Sequence, residues 1–174
     1  MLLSTGAVQD AAGLSPNTMQ ALIGGNSPAF SLRPPSETTA GGHKRWCFRD
    51  AAHVALAGVA PAYKLPLTVG LRIARTFIED DEAWTATGNS EQPFLWGLRR
   101  PCTLFDGGRS LLVAFGRNDR WNVHVPDGVI FDLSEFRRHL SKSGWEVRRA
   151  SLVIECNPII ERVIEKFEER GENA

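Results

Sequence analysis

At 174 residues, 43% hydrophobic and 23% charged, the chain has the make-up of a soluble globular protein with room for one ordinary domain or two small ones. No run approaches the roughly 18 apolar residues that span a bilayer, and the start lacks the basic and apolar regions of a signal peptide, so a cytoplasmic protein is expected. Three separated cysteines, Cys47, Cys102 and Cys156, form neither a disulfide framework nor a zinc pattern, and His124 and His139 add no ligand spacing.

The net charge of zero hides a split. Residues 1–78 hold seven Lys/Arg against three Asp/Glu, a net of +4, and residues 79–174 hold thirteen against seventeen, a net of −4. A basic half joined to an acidic half fits a module that meets phosphates linked to one that does not. The acidic block Glu79-Asp80-Asp81-Glu82 repels itself and suits a linker or a helix end. Two domains are therefore expected, 1–78 and 79–174.

In chain order, Leu3 to Ala12 carries Ala7, Val8, Ala11 and Ala12 at helical spacing, with Ser4 or Thr5 as N-cap. Gly13-Leu14 interrupts it. Ser15-Pro16 then opens a second helix with a capping hydroxyl and a first-turn proline, and Met19, Leu22 and Ile23 form its apolar stripe. Gly24-Gly25-Asn26-Ser27-Pro28 and Arg33-Pro34-Pro35-Ser36 are loop signals. Phe48, Ala51, Ala52, Ala55, Leu56 and Val59 keep one face of a third helix, and Leu67, Leu71, Ala74 and Ile78 that of a fourth.

The second half mixes periods. Ser110–Phe115, the alternating Trp121, Val123 and Val125, then Val129–Phe131 and Ser151–Glu155 read as strands. A helix is expected after Asp132 with Leu133, Phe136 and Leu140 inward. Asn157-Pro158 opens a last helix whose stripe is Ile160, Val163, Ile164 and Phe167. Four of the five tryptophans, Trp84, Trp96, Trp121 and Trp145, fall here and are expected in a core or an interface. The fold class expected is a mainly α winged helix-turn-helix followed by an α+β domain.

The segment Thr5 to Met19 carries the chemistry. Two short helices joined by a Gly-containing turn cross steeply and leave the second one free to enter a major groove. Asn17, Thr18, Gln20 and Ala21 lie off the apolar stripe, free to reach base edges or sugars. Gly41-Gly42-His43-Lys44-Arg45-Trp46-Cys47-Phe48 follows. Its glycines allow a hairpin tip, Lys44 and Arg45 place two cations beside it, and Trp46 and Phe48 anchor the returning strand. Cations over flanking phosphates are what a wing supplies.

These residues resemble the winged-helix DNA-binding domain of MerR-type regulators and related excisionases over residues 2–78. The likeness lies in Thr-x-x-Val-x-x-x-x-Gly-Leu-Ser-Pro-x-Thr-Met, in Gly-His-Lys-Arg-Trp-Cys-Phe-Arg-Asp, and in the two helices that follow. It implies that Ser15, Thr18 and Gln20 sit where family members meet DNA, that Lys44 and Arg45 are the wing's basic residues, and that Asp50 satisfies amides in the next helix's first turn. Gln20 stands where the family carries an arginine, and Cys47 where it carries a hydroxyl cap. The long dimerisation helix of typical members has no counterpart after Ile78.

The expected partner is double-stranded DNA, contacted by Ser15, Asn17, Thr18, Gln20, His43, Lys44 and Arg45. The expected role is that of a transcriptional regulator, most simply a repressor, whose C-terminal half dimerises or binds a small-molecule or protein effector. Alternatives are a phage-type or architectural DNA-binding protein, such as an excisionase or terminase recognition subunit, and a protein-interaction adaptor that no longer touches DNA. No nucleophile motif, phosphate loop or metal-protease motif occurs, so neither catalysis nor a cofactor or metal is expected.

Overall fold

A computed structural model of the chain describes residues 1–24, 37–38, 44–79, 102–104, 109–115, 128–132 and 150–172. The first element is a short strand, β1 (Leu3–Ser4), which runs directly into helix α1 (Thr5–Ala12). Ser4 is the N-cap, its hydroxyl accepting from the Ala7 amide at 3.3 Å. Such a cap satisfies one of the amides that a helix start leaves open. Leu3 was expected inside this helix. It instead extends into β1, where it pairs with Trp46 and is buried.

Helix α1 stops at Gly13, whose φ of 62° lies in the left-handed region that an L side chain enters only at a cost. Gly13 N donates to Asp10 O and Leu14 N to Gln9 O, both at 3.1 Å. This paired closure satisfies two of the last carbonyls. Helix α2 (Pro16–Gly24) follows within three residues. Strands β2 (Glu37–Thr38) and β3 (Lys44–Trp46) pair antiparallel, and β1 adds on the other side of β3 in the order β1-β3-β2. Helix α3 (Phe48–Ala57) packs on α1 and buries Ala51, Ala52, Val54, Ala55, Leu56 and Ala57, mostly small side chains that allow close approach.

Helix α3 ends at Gly58, earlier than its periodicity suggested, and Val59 leads into a 3-10 turn at Ala60–Tyr63. Helix α4 (Leu67–Glu79) begins after Pro66. Its expected stripe is buried at Leu71, Ala74 and Ile78, but Val69, Ile73 and Phe77 are buried as well. The buried side is thus wider than that stripe, while Arg75 on the opposite side is exposed.

Strands β4 (Ser110–Phe115), β5 (Gly128–Asp132) and β6 (Ala150–Glu155) form a second antiparallel sheet in the order β5-β4-β6. Three of the strands read from the sequence are thus present. One face holds the buried Leu112, Leu152 and Ile154. On the other face, Arg109 donates through Nε and Nη2 to both carboxylate oxygens of Glu155. These hydrogen bonds hold the Glu155 carboxyl below its ordinary range. The expected strand at Trp121–Val125, the helix after Asp132 and the four tryptophans of this half lie outside the described residues. Asn157 opens the last helix, α5 (Asn157–Glu172), and its Oδ1 accepts from Ser110 N at 2.7 Å.

The described residues hold five α-helices and two three-stranded sheets, compatible with an α or α+β class. The chain divides into two compact units, Met1–Leu71 with Pro158–Ala174, and Arg72–Asn157. The units part from the expected 1–78 and 79–174 split in two places. The first boundary falls inside α4, and α5 groups with the N-terminal elements. In that unit Phe167 meets Phe48 edge-to-face at 5.7 Å, and Lys166 Nζ lies 3.2 Å from Asp10 and 3.1 Å from Glu169. Of the stripe expected on α5, Ile160 and Val163 are buried and Phe167 half-buried, while Ile164 is exposed and Ile159 is buried in its place.

Regrouping α5 removes the charge split. Counted by unit, the first holds eight Lys/Arg against eight Asp/Glu, and the second twelve against twelve. The acidic residues of α5 neutralise the excess of positive charge carried by the N-terminal segment. The unit's net charge therefore supplies no general attraction to phosphate.

Candidate functional site

The turn between α1 and α2 is built by complementary caps. Ser15 precedes α2, and its Oγ accepts from the Thr18 amide at 3.2 Å while sharing a 2.8 Å hydrogen bond with Thr18 Oγ1. Pro16 takes the first helical position, where its missing amide costs nothing. Met19 and Leu22 are buried and hold α2 to the core. Asn17, Gln20 and Ala21 are exposed. These three share one face of the helix and none is charged.

Of the expected DNA-contacting residues, Asn17 and Gln20 present exposed polar side chains. Ser15 is exposed but engaged with Thr18, which is half-buried, so this pair shapes the helix start. His43 lies outside the described residues. Lys44 and Arg45 are half-buried on β3, the central strand of its sheet. The register sets Thr38 opposite Lys44 and Glu37 opposite Arg45.

Thr5 joins β3 to the helices. Its hydroxyl donates to the Lys44 carbonyl at 3.5 Å and accepts from the Trp46 indole nitrogen at 3.0 Å. Sequence reasoning considered Thr5 only as a cap. The pairing of a hydroxyl at residue 5 with an indole at residue 46 has no local signature, although a buried tryptophan needs an acceptor for its N–H. Helix α1 therefore carries α2 on its C-terminal turn and β3 at its N-terminal end. At 1.5 Å per residue its eight residues separate those two anchors by about 12 Å.

Cys47 is the N-cap of α3, in the extended conformation the position requires. It makes no side-chain cap bond, and its thiol donates to Asp50 Oδ2 at 3.3 Å. Asp50 stands three residues into the helix, as in a capping box. A hydroxyl in place of the thiol would accept from the Asp50 amide. Cys47→Ser should accordingly stabilise the fold by about 0.5–1 kcal/mol, read as a higher midpoint in urea denaturation with an unchanged slope.

Among the described residues no group of three or more His, Cys, Asp or Glu could hold a metal ion, and no helix is long and apolar enough to cross a membrane. Cys156 is fully buried, its thiol directed at the Ile154 carbonyl. Cys102 donates its backbone amide to Phe77 O at 3.1 Å. No protein-family model matches the chain, and neither a curated protein nor a solved structure matches it.

Proposed function

We propose that the N-terminal unit is a winged helix-turn-helix that binds duplex DNA, and that the chain regulates transcription, most simply by occluding a promoter. The observation that carries this reading is the double anchoring of α1. An exposed, uncharged polar helix face hangs from one end and a strand bearing Lys44 and Arg45 from the other. The two anchors stand about 12 Å apart along α1, the scale of a major groove about 12 Å wide. Side chains of α2 would then face base edges while the two cations lie over the phosphates at the groove's rim.

A single module of this size reads few base pairs, so two copies on a two-fold site fit the reading, paired through the 72–157 unit. One titration tests both points. With the full chain, the slope of log affinity against log salt should flatten by about two when Lys44 and Arg45 are both changed to Ala, at about 0.9 per lost phosphate contact. The same titration should return two chains per duplex. An unchanged slope would remove the wing assignment, and one chain per duplex would remove the dimer.

The neutrality of the N-terminal unit favours a second reading, a protein-interaction adaptor on the same scaffold. Genome-wide mapping of bound DNA separates the two. Promoter peaks that vanish in the double variant support regulation, peaks at a prophage end or attachment site support a phage-type role, and none at all supports the adaptor.

A further inference from the structure

Building on the DNA-binding reading above, we infer that α2 selects adenine–thymine pairs, with Gln20 as the residue that recognises adenine. The exposed face of α2 offers Asn17, Gln20 and Ala21, and the helix contains no Lys, Arg, Asp or Glu. Guanine presents two acceptors in the major groove and is read most often by a cationic fork. Cytosine presents a donor, read by a carboxylate. Helix α2 has neither chemistry. A carboxamide offers a donor and an acceptor together, which matches adenine N7 and N6 in one planar contact.

The structure narrows the choice among the polar residues. Ser15 and Thr18 bond to each other across the first turn, which fixes their hydroxyls close to the backbone. Asn17 stands in that same first turn, with a shorter side chain. Gln20 lies one turn further along on the exposed face, carries the longer side chain, and has Ala21 beside it. A methyl at Ala21 is suited to contact with a thymine C5-methyl group. An adenine partner for Gln20 and a thymine partner for Ala21 make a coherent A·T-selecting surface.

The test is selection by the full chain from a duplex library randomised across the site, followed by affinity ratios on the winning duplex. Each variant is compared on the selected site and on the same site with its A·T pair replaced by G·C. The unmodified chain should prefer A·T by on the order of tenfold to a hundredfold, the range of one bidentate base contact. Gln20→Ala should lose that preference, and Gln20→Arg should move it toward guanine at the same position. Gln20 is exposed, so both variants should keep the parent's melting temperature. Recovery of one unchanged consensus by all three proteins would overturn the adenine assignment while leaving DNA binding intact. A G·C pair at the position that responds to residue 20 would overturn it equally. Failure of the unmodified chain to retain any duplex would remove the DNA-binding reading itself, and the adenine assignment with it.

Discussion

Trp46→Ala should cost about 3–5 kcal/mol of folding stability, the range for deleting a fully buried large aromatic. Trp46 is 1% exposed and sits on the central strand of the first sheet, paired with the equally buried Leu3. Removing its ring opens a cavity bordered by β1 and strips the Thr5 hydroxyl of the indole donor at 3.0 Å. Both effects act where Thr5 ties β3 to α1. A domain of this size has roughly 5–15 kcal/mol in total, so the variant should be partly unfolded at growth temperature. Trp46→Phe keeps most of the buried ring and loses one hydrogen bond, so its cost should be nearer 1–2 kcal/mol. Far-UV circular dichroism in urea is the suitable readout, because the other four tryptophans obscure a fluorescence signal. Equal losses in the two variants would show that the hydrogen bond, not the packing, fixes the strand.

Gly70→Ala should destabilise by about 2 kcal/mol, against the usual rule that alanine improves a helix interior. Gly70 lies in α4, where a Cβ would stand 2.5 Å from the Ala57 carbonyl oxygen and 2.7 Å from the Ala60 side chain. Neither neighbour is the end of a flexible side chain, so the clash is relieved only by moving backbone. Overpacking of this kind costs about 3 kcal/mol at the upper end, and the better helix propensity of alanine returns about 1. Thermal melting of the full chain gives the sign directly. A raised melting temperature would mean that α3 and α4 separate freely. The position also explains why a chain rich in small residues here is not merely permissive: Ala57, Ala60 and Gly70 let two helices touch at backbone distance.

Much of the local structure is legible in the sequence. Helices α1, α2, α3 and α4, three of the strands and the terminal helix each have a periodic stripe or a cap that acts over a few residues. Ser15 with Pro16 marked the start of α2, and Gly13 the end of α1. The two-residue strand β1 was not legible, because alternation needs more than Leu3 and Ser4 to declare itself. The full width of the buried side of α4 is not legible either, because Arg72 and Arg75 interrupt its apolar residues along the sequence.

The candidate site was half legible. Residue types that cap a helix also bind phosphates and bases, so Ser15 and Thr18 carry the same signature in either role. Only their 2.8 Å hydrogen bond separates them from Asn17 and Gln20. Long-range grouping was the larger loss. The ion pair of Lys166 with Asp10 and the ring contact of Phe167 with Phe48 join residues with no pattern in common. Without them nothing in the sequence groups the acidic last helix with the N-terminal elements, and the charge of each unit follows from that grouping.

That grouping sets an order of events during synthesis. The first unit includes helix α5, yet the 86 residues of the second unit are made in between. At about 5–20 residues per second on a ribosome, the N-terminal helices wait roughly 4–17 s for the partner that covers Phe48 and binds Asp10. During that interval the nascent chain exposes apolar surface which the finished protein buries. The segment made first is therefore among the last to be completed.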